Sequence, residues 1–104
     1  MFDKDIIRPL FIVRIFFYYL SMDDVNESVD VISFYDKIKR TFLPLRIKWQ
    51  NRVYKLQKVS HPYTLVEKGD NIWIFNMMSK TTQFILNFNP RTLQWILKGV
   101  HDIA

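Results

Sequence analysis

Cysteine is missing altogether, so the chain can form no disulfide, bind no metal through thiolates and use no cysteine nucleophile. That suits a reducing cytoplasm, the localisation expected, without requiring one. Glycine is nearly as scarce: Gly69 and Gly99 stand alone, too few for a Gly-rich loop of the kind that cradles nucleotide phosphates. Histidine is limited to His61 and His101. A metal site would need a third ligand from Glu67, Asp70 or Asp102, at spacings that match no established pattern. No catalytic residue, cofactor or metal ligand is therefore expected, and the protein reads as a non-enzyme.

Long apolar runs are also lacking, with one exception. Ile6 to Leu20 is almost unbroken apolar sequence, but its 15 residues include Arg8 and Arg14. A membrane-spanning helix needs about 18 or more. Asp3 and Asp5 stand where a signal peptide would be basic, and Tyr18-Tyr19-Leu20-Ser21 is no small-residue cleavage site. Met22 opens a polar stretch, Asp23-Asp24-Val25-Asn26-Glu27-Ser28, typical of a protein start. Residues 1–21 read as an apolar leader whose place in the product is open, with Met22 as the alternative start. If kept, they form an extra strand, a short helix on the sheet or an interfacial anchor, and only then does a membrane become a partner. Residues 22–43 form an acidic, then basic, N-terminal segment, and residues 44–104 a β-domain.

What the chain does have is aromatic residues, at 16%, and a length of 104 residues that allows one domain with one modest core. Charge is unevenly placed. Residues 1–36 carry three basic and seven acidic side chains, and residues 37–104 carry twelve and three. From Lys37 to Lys58 there are eight basic residues and no acidic one. A local positive field of this kind raises the odds of an anionic partner, nucleic acid or phospholipid headgroups, with a solvated basic surface as the equal alternative. The acidic Asp23, Asp24 and Glu27 lack the glycine and ligand alternation of a calcium loop and read as a solvated, flexible lead-in.

The strand signal is strongest from Pro44 to Lys98. Leu45-Arg46-Ile47-Lys48-Trp49 turns at Gln50-Asn51 and returns as Arg52-Val53-Tyr54-Lys55-Leu56. A two-residue turn pairs Trp49 with Arg52, Ile47 with Tyr54 and Leu45 with Leu56, leaving one face apolar. Such a turn needs positive φ, which Asn51 tolerates. A second hairpin turns at Ser79-Lys80, pairing Phe75 with Phe84 and Trp73 with Leu86. A third turns at Asn89-Pro90-Arg91-Thr92, pairing Phe88 with Leu93, Leu86 with Trp95 and Phe84 with Leu97. The expected core is Leu45, Ile47, Trp49, Tyr54, Leu56, Trp73, Phe75, Phe84, Leu86, Phe88, Leu93, Trp95 and Leu97. Asp30 to Tyr35 reads as a short extra strand. Asp36 to Leu43 reads as a basic connector in which Ile38, Phe42 and Leu43 could make one helical turn. Ile74, Ile85 and Ile96 form a small apolar patch on the opposite face, which Val29 to Leu43 or a second copy of the chain would cover. The fold class is all-β: a single small domain, an antiparallel meander of about five strands, twisted or partly rolled into a barrel, with an extra N-terminal strand or short helix.

The run Trp49-Gln50-Asn51-Arg52-Val53-Tyr54, with Pro44 before it and Thr92-Leu93-Gln94-Trp95 near the end, resembles small uncharacterised bacterial proteins that carry a Trp-x-Gly-Arg-x-Tyr hairpin. The likeness covers about residues 31 to 100. It implies an all-β domain of unknown function and supplies no activity. Asn51 stands where those proteins usually have glycine, a change that the left-handed tolerance of asparagine permits.

One feature of the first hairpin makes a physical demand. Its polar face sets Arg46 directly opposite Lys55 and Lys48 opposite Val53, and like charges across a ladder cost a few tenths of a kcal/mol. A phosphate backbone would turn that repulsion into attraction. Arg46, Lys48 and Lys55, extended by Lys37, Lys39 and Arg40 of the connector, are the candidate anion-binding or nucleic-acid-binding residues. Tyr35 and Tyr63 are the aromatics expected to be free for stacking. The expected function is that of a small basic β-domain, a non-enzymatic binding module whose partner is an anion such as single-stranded nucleic acid. The alternative is a protein-interaction or structural module that dimerises through a sheet edge or the isoleucine patch.

Overall fold

The computed structural model of the protein describes residues 23–102, and every regular element among them is a β-strand. The apolar leader and the readings offered for it lie outside the described residues. The strands are β1 (Asp23–Ser28), β2 (Asp30–Asp36), β3 (Thr41–Trp49), β4 (Arg52–Lys55), β5 (Gln57–Lys58), β6 (Tyr63–Glu67), β7 (Asp70–Ser79), β8 (Thr82–Asn89) and β9 (Gln94–Asp102). The all-β class holds, with more strands than a five-stranded meander. They form two antiparallel sheets, a larger one ordered β1-β9-β8-β7-β5 with β6 also on β7, and a smaller one ordered β2-β3-β4. The sheets are not closed into a barrel.

Two single residues carry the chain from one sheet to the other. Val29 separates β1 in the large sheet from β2 in the small one, and its N–H donates to the Trp95 carbonyl at 3.3 Å. Leu56 separates β4 from β5 and donates its N–H to the Leu45 carbonyl at 2.8 Å. Both residues turn their side chains into the space between the sheets, which is how sheets are joined at a corner.

The first hairpin has the expected register, Arg46 with Lys55, Ile47 with Tyr54, Lys48 with Val53 and Trp49 with Arg52. Both turn residues sit in the left-handed region, Gln50 at φ 51° and Asn51 at φ 62°, as a type I′ turn requires. The other two hairpins pair two positions away from expectation. Phe75 meets Leu86 and Trp73 meets Phe88, because the tight turn lies at Lys80-Thr81. Phe88 meets Trp95 and Leu86 meets Leu97, because Pro90 to Leu93 is all turn. There the Asn89 side chain accepts from the Arg91 N–H at 2.9 Å, and the Leu93 N–H reaches the Asn89 carbonyl at 2.7 Å. A shift of two keeps each side chain on its face, so the core survives the correction; only beyond Leu97, where Phe84 meets Val100 and not Leu97, is the shift three.

Two expected core residues leave it. Leu93 belongs to the turn, at φ 61° and 73% exposed. Leu45 is displaced by a bulge: Ile32 pairs with Arg46 while Ser33 pairs with Pro44, so Leu45 has no partner on β2 and is 42% exposed. The bulge brings Pro44 and Ile47 inward together, and a bulge is where a strand can accommodate proline. A second bulge at Lys98 does the same for Leu97 and Val100.

Between the sheets lie Ile47 and Leu56 from one side and Phe75, Met77, Phe84, Leu86 and Leu97 from the other. Phe42 completes the seal. Its ring lies 5.3–5.5 Å from those of Phe75, Phe88 and Trp73, and 6.3 Å from that of Trp95. Thr41 to Leu43 is thus strand, not helix, and the connector shrinks to the turn Lys37 to Arg40. The acidic lead-in is likewise ordered, as β1 against β9, and Glu27 accepts a 2.8 Å hydrogen bond from the Trp49 indole. Of the Val29 to Leu43 segment, Val29, Val31, Phe42 and Leu43 pack against the core between the sheets, so the segment does not serve as the cover of the isoleucine patch. On that outer face of the large sheet Ile72 and Ile74 are buried, and Ile85 and Ile96 are half-buried.

Candidate nucleic-acid interface

Alternation along β3 assigns its charges. Ile47 is buried between the sheets and Trp49 packs against the core, so Arg46 and Lys48 must point the other way, to solvent. On β4 the half-buried Tyr54 fixes Val53 and Lys55 outward by the same rule. Arg46, Lys48 and Lys55 therefore share the open face of the small sheet, with Arg46 and Lys55 directly opposed. None of the three makes a hydrogen bond or ion pair with another described residue. Among the described residues the acids on this side are Asp30, at the β2 rim opposite Lys48, and by the same alternation Asp36, at the far end of β2 opposite Thr41.

Lys37, Lys39 and Arg40 are exposed but lie elsewhere, at the tip of the β2–β3 hairpin. The turn is held by the Asp36 carboxylate, which accepts from the N–H groups of Ile38 at 2.9 Å and Lys39 at 3.1 Å. Those bonds, that from Lys39 foremost, hold its carboxyl below the usual range. Arg40 closes the turn at φ 56°. Five steps along the strand, about 16 Å at 3.3 Å each, separate Thr41 from Arg46. The six candidate cations thus form two groups of three.

β2 supplies what sequence reasoning missed. Val31 pairs with the buried Ile47, so Ile32, opposite Arg46, faces outward, and Phe34, two residues on and opposite Leu43, shares its side; they are 61% and 55% exposed. Val53 and Leu45 add exposed apolar surface between the cations. Phe34 is an aromatic available for stacking on the cationic face itself. Tyr35 is exposed near the hairpin tip, whereas Tyr63 is not a loop residue but the first residue of β6, on the large sheet. The signal that would have found Phe34 is the pairing of residues 30–36 with residues 41–48, which decides which side of β2 is covered.

Among the described residues no three acidic or histidine side chains are grouped to hold a metal ion. His61 is exposed, its Nδ1 lying 3.4 Å from the Lys58 ammonium, and His101 lies in β9 opposite Gln83 and not in a frayed end. No described helix is long and apolar enough to cross a membrane. Comparisons with family models, curated proteins and solved structures yield no match for this chain.

Proposed function

We propose that the protein is a non-enzymatic binding module, in a cytoplasmic setting, whose small sheet takes a single strand of nucleic acid across its open face. The observation that carries this is the joint exposure of Arg46, Lys48 and Lys55 with Phe34 on one sheet surface. Cations that track a phosphate backbone, beside an aromatic ring on which a base can stack, are the two components of sequence-tolerant single-strand recognition. Arg46 and Lys55 repel each other across the ladder, and a bound phosphate turns that cost into a gain. The Lys37, Lys39 and Arg40 group at the hairpin tip would serve a strand long enough to reach it.

The expected behaviour is measured by fluorescence anisotropy with labelled single-stranded DNA and RNA. Changing Arg46 and Lys55 together to Gln should weaken binding roughly tenfold, about 1.4 kcal/mol, and nearly equally for all sequences. The log–log salt slope should flatten by about 1.4, since each phosphate contact on a single strand contributes about 0.7. Folding should be unharmed. Absence of binding by the parent protein at about 50 mM salt, where such contacts are strongest, would refute the proposal.

A second reading, self-association through a sheet edge, has one observation in its favour. Every residue of the edge strand β6 is exposed, Val66 by 70%. A parent protein that sediments as a dimer and ignores oligonucleotides would establish that reading instead.

A further inference from the structure

The gap between the sheets is open at one side. There the β4 strand faces the turn between β7 and β8 across a groove of about 830 Å³, within the range of ligand-sized clefts. Along one wall run Arg52 and Lys55, and on the other Lys80 stands at the turn. All three are exposed, and none is hydrogen-bonded or ion-paired to another described residue. Among the described residues no acid lines the groove; Asp102 accepts a hydrogen bond from the lining Thr81 at 3.4 Å. Neither Arg52 nor Lys80 belongs to the open face described above. Lys55 belongs to both, since it opposes Arg46 on that face and also lines the groove. The positive surface is therefore continuous around the edge of the small sheet. Among the described residues β4 pairs only with β3, and an edge strand offers backbone N–H and C=O groups along its free side.

We propose that a single strand lying on the open face turns over the β4 edge at Lys55 and continues into this groove, where Arg52 and Lys80 each hold a phosphate. The inference rests on the proposed function and adds to it the path of the strand and two contact residues. The occupant is a phosphodiester backbone because the groove joins a surface that already pairs opposed cations with an exposed ring. An acidic peptide is the competing occupant of a cationic groove, and it is set as an outcome of the test.

Oligothymidylates of about 4, 8 and 12 nucleotides, within the 4–16 range of small β-domain site sizes, are titrated against the full chain. The parent protein should bind more tightly as length increases. The double variant Arg52→Gln, Lys80→Gln should lose about five- to tenfold on the 12-mer and less than twofold on the 4-mer, with its salt slope on the 12-mer smaller by about 1.4. The charge-preserving variant Arg52→Lys, Lys80→Arg should keep the parent slope, and an unchanged melting temperature in both variants excludes misfolding as the cause. If the parent binds and the Gln variant matches it in affinity and slope at every length, the groove is not on the path, while the face remains the site. If the parent binds no oligonucleotide, the proposed function fails first. If polyglutamate binds with the same dependence on Arg52 and Lys80 and the 12-mer does not, the groove belongs to an acidic peptide and the inference is wrong.

Discussion

Asp70 shows how a residue that looks chemical in the sequence can be structural in the fold. It appeared as a candidate third ligand for a metal. Its carboxylate instead receives the Arg91 guanidinium through two bonds, from Nε at 2.7 Å and Nη2 at 2.8 Å, and the Asn89 amide at 3.0 Å. The pair ties the start of β7 to the β8–β9 turn. Those hydrogen bonds, Arg91's first and Asn89's second, pull its pKa down to about 2. A carboxyl whose folded pKa lies below its unfolded value stabilises the fold above that unfolded value, and the contribution disappears as pH falls through the folded one. The window here runs from about pH 4 to about pH 2. In urea unfolding, Asp70→Asn should therefore trail the parent near neutral pH and draw level with it near pH 2. A gap that stays constant over the whole range would show that the ionised pair is not its source.

At the scale of the element, β3 demonstrates what one extra residue does. Read as strict alternation, Leu45 and Ile47 are equivalent core positions. The bulge separates them, leaving Ile47 with 1% exposure and Leu45 with 42%. Truncating a fully buried aliphatic side chain costs about 2–5 kcal/mol, so Ile47→Ala should remove a large part of the stability of a domain this small. Leu45→Thr should change it by less than about 1 kcal/mol, as exposed substitutions do. Urea denaturation of the two variants measures the difference, and equal losses would place Leu45 in the core after all. The bulge also matters to the proposed interface. It reverses the sense of the strand between Pro44 and Ile47, and so lets Arg46 face solvent while the residues on either side of the bulge face inward.

For the whole molecule, the decisive residue is Phe42. It belongs to the small sheet yet packs against four rings of the large one. Edge-to-face ring pairs add about 0.5–1.5 kcal/mol each beyond the area they bury, so one side chain holds much of the contact between the sheets. Phe42→Ala should cost about 3–5 kcal/mol. Since Trp73 and Trp95 adjoin Phe42, their fluorescence reports on the seal, while far-UV circular dichroism reports on both sheets. The two signals should move together in one transition, shifted to lower urea in the variant. A variant in which fluorescence changes first, with the circular dichroism intact, would show that the sheets unfold separately. The positive groove belongs to the same scale, since its walls come from different sheets and exist only once they are docked.

The amino-acid order alone determines the all-β class, the turn at Gln50-Asn51, and which side of β3, β4, β7 and β8 is apolar. These are local properties, set by alternation with period two and by the conformational tolerance of a few turn residues. Alternation is also forgiving, which is why turns misplaced enough to shift two hairpins by two positions still put Phe75, Phe84 and Leu86 in the core. It has no such tolerance for odd insertions, so the bulges at Leu45 and Lys98 could not be seen in it. Nor can alternation choose a side for β2, where Val31 and Tyr35 compete with Ile32 and Phe34. That choice was made by the docking of the two sheets, because only a second layer decides which of two apolar faces is covered. The candidate site divides in the same way: Arg46, Lys48, Arg52 and Lys55 belong to the hairpin itself, whereas Phe34 and Lys80 stand on strands and turns that the hairpin does not contain.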